Sequence, residues 1–137
     1  MNQLKNVIFI ILMFWCWLPL NIYCLTETKS NLFFSENPIE FDPPIIKKEN
    51  TYFIPIRTIV KYFDGSIDKS NVTYFYSIKI KKNTFEIKPN KLNYKLNNKP
   101  KKFVQKPFVY KTRLYVPITT FFENINYKLI KKKTHFY

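Results

Sequence analysis

Two stretches of the chain carry the same hydrophobic pattern. Residues 51–63 read TYFIPIRTIVKYF, and residues 113–125 read RLYVPITTFFENI. With Pro55 set over Pro117, the first has apolar residues at Ile56, Ile59, Val60 and Phe63. The second has them at Ile118, Phe121, Phe122 and Ile125. That spacing is one stripe of a helix with a period of 3.6 residues. Ahead of the prolines stand Thr51-Tyr52-Phe53-Ile54 and Leu114-Tyr115-Val116, residues that favour strands. Proline explains the change of period. It pushes its predecessor into extended geometry, and its fixed φ and missing N–H suit the first helical position. Each phrase therefore predicts a strand, a proline hinge and a helix of about two and a half turns. Ile54 and Val116 would then stand at the N-caps, with no side-chain acceptor to offer. Asp64-Gly65 and Asn126 suit left-handed C-caps. Helices this short are marginal alone and must lean on a sheet.

The sheet is readable between and around the phrases. VTYFYSIKIKK (72–82) alternates in its second half, with Ile78 and Ile80 opposite Lys79 and Lys81, and TFEIK (84–88) follows after Asn83 as a hairpin partner. LNYKL (92–96) sets Leu92, Tyr94 and Leu96 on one face, Asn97-Asn98 makes a turn, and KKFV (101–104) returns. KLIKKKTHFY (128–137) reads as a closing strand with a basic outer side. PIEFDPPII (38–46) matches PKKFVQKPFV (100–109) with one inserted residue, so the internal duplication covers about 30 residues per copy.

The remaining apolar run is of another kind. Residues 7–20, VIFIILMFWCWLPL, follow Lys5 and precede a polar chain. A run of this length is short for a membrane span and suits the h-region of a signal peptide. The expected organisation is a leader over 1–24 cut near Cys24, a linker over 25–35 and one domain over 36–137. An uncleaved membrane anchor running on to Leu25 is the alternative. Both cysteines, Cys16 and Cys24, lie in the leader, so the domain has no internal disulfide and must fold by its core alone. The expected location is secreted or extracytoplasmic, in the periplasm or at the cell surface.

Composition narrows the chemistry. Gly65 is the sole glycine, which excludes a Gly-rich phosphate cradle, a dinucleotide fingerprint and a nucleophile elbow. His135 is the sole histidine, too few for a metal site or a Ser-His-Asp relay. A carboxylate pair for acid–base work could come in principle from Asp64 and Asp68, but they flank the end of the first helix, where short polar residues are expected for turn reasons. Asn71-Val72-Thr73 is a glycosylation sequon by pattern only.

Charge is uneven. Residues 25–70 hold seven acidic and six basic side chains, whereas residues 71–137 hold two and 16. Such asymmetry suits a polyanionic partner, although a chain rich in Lys, Asn, Ile, Phe and Tyr together is also what A/T-rich codons produce. Candidate contacts are Lys99, Lys101, Lys102, Lys106, Lys131, Lys132 and Lys133, with Tyr94 and Tyr110 for stacking.

The order Asn37…Phe41, Pro43-Pro44, then Phe53-Ile54-Pro55-Ile56-Arg57, a short helix and a recurrence of the pattern resembles the copper amine oxidase N-terminal-like domain. This is the stalk module with a doubled VPLR-type phrase common in bacterial exported proteins. Asn97-Asn98 stands where that family usually has Asn-Gly before its second copy. The likeness spans roughly residues 36–137. Arg57 keeps the family arginine where the second copy has Thr119, and Glu123 keeps the family glutamate where the first has Lys61. Asp64 and Asn126 replace a glycine, and the usual tryptophan is missing. The hydrophobic skeleton is intact, which points to inheritance of the fold rather than of a site. The resemblance implies a small α+β fold in which an antiparallel twisted sheet wraps the two short helices. It also implies a peripheral stalk, with copper and the modified tyrosine belonging to another domain.

The expectation is thus an exported, non-catalytic cell-envelope module in a binding or spacer role, with no cofactor and no metal. Pro55, Arg57, Gly65 and Pro117 form its structural motif, and Arg57 is expected to tie the start of its helix to a neighbouring strand or loop. The alternative is a binder of acidic glycan, phosphate polymer or anionic membrane surface through the basic C-terminal half. Nucleic acid is not expected as a partner, and a membrane only through an uncut leader.

Overall fold

The computed structural model describes residues 25–28, 32–34 and 37–126. The leader, residues 29–31 and 35 of the expected linker, and the strand expected over 128–137 lie outside them. Among the described residues, two five-stranded antiparallel sheets and two helices make an α+β fold. The first sheet runs in the order β1 (Thr26–Thr28), β4 (Ile45–Lys48), β5 (Thr51–Pro55), β12 (Arg113–Pro117), β11 (Phe108–Tyr110). The second is a meander of β6 (Ser66–Lys69), β7 (Tyr76–Ile80), β8 (Asn83–Ile87), β9 (Asn93–Leu96) and β10 (Lys99–Lys102). A separate pair joins β2 (Leu32–Phe34) to β3 (Asn37–Ile39).

Both proline phrases fold as strand then helix. Helix α1 spans Ile56–Tyr62 and α2 spans Ile118–Asn124. Each is about two turns, shorter than expected. The prolines are one position earlier than the sequence suggests. Pro55 and Pro117 close their strands with ψ of 110° and 125°, so they are the N-caps themselves. Neither offers a side-chain cap, and neither has an N–H to satisfy. The helix ends are as expected. Asp64 and Asn126 take φ of 51° and 60°. At the first end the Gly65 amide donates to the Val60 carbonyl (2.8 Å) and the Asp64 amide to that of Lys61 (3.2 Å), a complete Schellman cap. Gly65 itself has no positive φ; a Cβ there would stand 2.3 Å from the Lys79 carbonyl oxygen, so close approach to β7 demands glycine.

The apolar stripes meet in one core. Ile56, Ile59 and Val60 of α1 and Ile118, Phe121 and Phe122 of α2 pack with Ile54 and Val116 of the first sheet and Ile78, Phe85 and Ile87 of the second. Phe85 and Phe121 stack with centroids 4.8 Å apart. Helix α1 lies on β12, β6 and β7, and α2 on β5 and β12. A smaller cluster of Ile46, Phe53 and Tyr115, flanked by Phe108 and Tyr110, occupies the other face of the first sheet. That sheet curls strongly. Glu27 on one edge strand receives hydrogen bonds from Lys111 Nζ (3.0 Å) and the Tyr110 hydroxyl (3.5 Å) at the opposite edge.

The strand expected over 72–82 begins only at Tyr76. Residues 70–75 form a turn instead, closed by the Ser70 amide donating to the Phe75 carbonyl (2.9 Å). Thr73 donates from its amide and its hydroxyl to Ser70 Oγ. This leaves Val72 and Tyr74 88% and 73% exposed. The Asn97-Asn98 turn is present, both residues in the left-handed region. Asn97 exchanges backbone and side-chain hydrogen bonds with Thr84, fastening the turn to β8.

Candidate functional site

Lysine distribution makes the second sheet distinctive. Between Tyr76 and Lys106 there are ten lysines, all exposed, and a single acid, Glu86. Alternation along the strands decides which face each one joins. Phe85, Ile87 and Tyr94 point into the core, so Glu86, Asn93 and Lys95 point out. Pro100 pairs with Lys95 and Lys102 with Asn93, which places both on the outer face as well. Lys88 follows the Ile87–Tyr94 pair and stands next to Asn93 on that face. Here an open groove of about 480 Å³ runs over the sheet, between Thr73 and Phe75 on one side and Pro100 on the other. Glu86, Lys88, Asn93 and Lys95 lie along it. Within it Lys95 and Glu86 form an ion pair at 3.1 Å.

The sequence-derived lysine set is divided by this geometry. Lys102 faces the groove side. Lys99 and Lys101 pair with Leu96 and Tyr94 and project from the opposite side of β10, where both are exposed. Lys106 lies beyond the sheet, and Lys131, Lys132, Lys133 and His135 are outside the described residues. Sequence reasoning did not select Lys88, Asn93 and Lys95; the alternation of 84–88 and 92–96 carries the signal that places them together.

Neither tyrosine is an open platform. Tyr94 is 4% exposed and stacks on Phe103 at 4.0 Å, its hydroxyl accepting from Asn124 Nδ2 (2.6 Å). Burial raises its pKa, opposed by that hydrogen bond. Tyr110 sits edge-on to Tyr115 under Lys111 Nζ. Tyr115 is fully buried and donates to the Pro44 carbonyl (3.1 Å). Burial first, then the charges of Glu27 and Tyr110, push its hydroxyl up to about 12.

Other candidates have architectural places. Asp64 caps α1, and Asp68 projects from β6 opposite Ser77; both are exposed. Arg57 is exposed on the first turn of α1 and makes no ion pair among the described residues, so the expected tie to a neighbouring strand or loop is not formed there. Pro55 and Pro117 are buried. Asn71, Val72 and Thr73 are exposed on the β6–β7 turn. Among the described residues no group of three metal-capable side chains comes together, and no helix is long and apolar enough to cross a membrane.

The family model of the copper amine oxidase N-terminal domain matches residues 33–135. The chain belongs to that family. A copper amine oxidase N-terminal domain is a non-catalytic module, and both proline phrases and the whole basic sheet fall inside the match. Searches of curated proteins and of solved structures give no match.

Proposed function

We propose that this chain is an exported, non-catalytic module of the cell envelope whose basic second sheet holds an acidic polymer. One observation carries the reading: on and around the second sheet, residues 76–106 expose ten lysines against one acid. A surface of one sign raises the local concentration of polyanions and speeds their capture. Glu86, the one acid there, already has Lys95 as its partner. Membership of a non-catalytic family supports the absence of turnover. Lys5 followed by the apolar run of residues 7–20 supports export, with cleavage near Cys24. The doubled proline phrase supports an origin by duplication of one unit, inherited for its architecture.

The test is a pull-down of the full chain against isolated envelope fractions at graded salt. Neutralising six to ten anionic groups makes affinity fall by roughly 10³–10⁵ between about 50 and 200 mM salt. Retention that ignores salt, or no retention at all, rejects the polyanion reading. Reproducible turnover of a wall or glycan substrate rejects the non-catalytic one. N-terminal sequencing of the exported form locates the cut; an intact Met1 in the membrane fraction assigns the leader as an anchor.

A further inference from the structure

We infer that the groove on the outer face of the second sheet is the seat of the polymer, and that the polymer is an acidic polysaccharide with one carboxylate per disaccharide. The inference rests on the polyanion reading above and gives it a site and a ligand class. Lys102 and Asn93 are directly paired, and Lys88 stands on the next strand beside Asn93. Two inter-strand steps separate the lysines, about 10 Å in all. That distance matches the rise of one disaccharide, so successive carboxylates of such a chain would meet Lys88 and Lys102 in turn. Lys95 offsets Glu86, so among the described residues neither Lys88, which lines the groove, nor Lys102, on the same sheet face outside the lining, has an acid partner.

Between them Asn93 offers a carbonyl and an amide, the donor–acceptor pair that reads sugar hydroxyls. Phe75 and Pro100 wall the groove with apolar surface suited to the C–H face of a pyranose ring. A bare phosphate polymer, which has only acceptors, would use the amide's N–H groups but neither its carbonyl nor these walls. The groove is open to solvent and holds about 480 Å³.

The probes are hyaluronate, which bears one carboxylate per disaccharide, and linear polyphosphate of similar length, titrated into the full chain at low salt. Lys88→Ala with Lys102→Ala is expected to weaken hyaluronate binding by about tenfold or more. Asn93→Ala weakens hyaluronate severalfold and polyphosphate by clearly less, since only the sugar uses both the donor and the acceptor of the amide. Lys82→Ala with Lys106→Ala, which removes equal charge away from the groove, has little effect. All five positions are exposed, so the unfolding midpoint should hold and certify the fold. Equal losses from the two lysine pairs with no effect of Asn93→Ala, or capture of polyphosphate alone, overturns the groove while leaving the polyanion reading in place. Failure to bind either polymer overturns both.

Discussion

Ile54 and Val116 face each other across the β5–β12 ladder, and they are the same position of the two proline phrases. Exchanging the two units leaves the pairing unchanged, because Phe53 pairs with Pro117 as Tyr115 pairs with Pro55. The correspondence continues outward. Ile46 pairs with Phe53 as Phe108 does with Tyr115, and Lys48 with Thr51 as Tyr110 does with Arg113. Helix α1 rests on the strand of the other unit, β12, and α2 rests on β5. Two helices too short to persist alone are thereby held by each other's strands.

This arrangement predicts coupling at its centre. Ile54 and Val116 are both fully buried. Ile54→Ala and Val116→Ala should each cost about 2–4 kcal/mol in urea unfolding. Because they are in contact, the double variant should depart from the sum by about 0.5 kcal/mol or more. Small, strictly additive losses would mean that the two halves are stabilised separately.

Glycine has opposite values at adjacent positions. Gly65→Ala places a methyl group 2.3 Å from the Lys79 carbonyl oxygen, and only movement of β7 relieves it. A loss of about 1–3 kcal/mol is expected. Asp64→Gly, one residue earlier, removes a non-glycine side chain from a φ of 51° and should be neutral or stabilising by up to about 1 kcal/mol. Thermal unfolding of the two variants tests both signs, and a destabilised Asp64→Gly would refute the cap assignment.

Much of this fold was legible in the sequence, for local reasons. The stripes at Ile56, Ile59 and Val60 and at Ile118, Phe121 and Phe122 are read correctly because a helical period leaves little choice of buried face. The caps at Asp64 and Asn126 follow from residue chemistry. Pro55 and Pro117 are displaced by one position because N-cap and first helical residue differ in ψ, which proline does not fix. Val72 and Tyr74 have strand-forming side chains, yet the Ser70 hydroxyl and a left-handed Tyr74 make a turn there. At the candidate site, lysines close in sequence drew the selection to 99–106. The spatial group is assembled across three strands, and Lys99 and Lys101 alternate away from it. Tyr94 was misplaced for the same reason, since its strand face turns it toward Phe85 and Phe103.

Alkaline pH should expose the burial of Tyr115. Its hydroxyl titrates near 10 in the unfolded chain and at about 12 in the folded one. Between those values the unfolded chain releases a proton that the native state keeps. Stability is therefore fully present below pH 10 and falls as pH rises toward 12. Tyr115→Phe should flatten that fall, leaving a remainder from Tyr94, whose pKa is also raised by burial. At neutral pH the same variant should cost about 1 kcal/mol, through loss of the hydrogen bond to Pro44. Urea midpoints at pH 8, 10 and 11 decide it, since an unchanged slope in the variant would place the titrating group elsewhere.

Lys99 and Lys101 carry a separate prediction, because their strand β10 is an edge of the second sheet. Its sequence, Lys-Pro-Lys-Lys, is exposed throughout. Charged side chains and a proline are how edge strands avoid pairing with another molecule. Lys99→Thr with Lys101→Thr keeps strand propensity while removing both charges from that side. The expected result is concentration-dependent self-association in light scattering, with the urea midpoint little changed, since neither side chain is buried. Lys102 lies on the groove face, so Lys102→Thr alone should weaken polyanion capture without promoting association. If the double variant stays monomeric and loses polymer binding instead, Lys99 and Lys101 are ligand contacts and the edge-guard role is rejected.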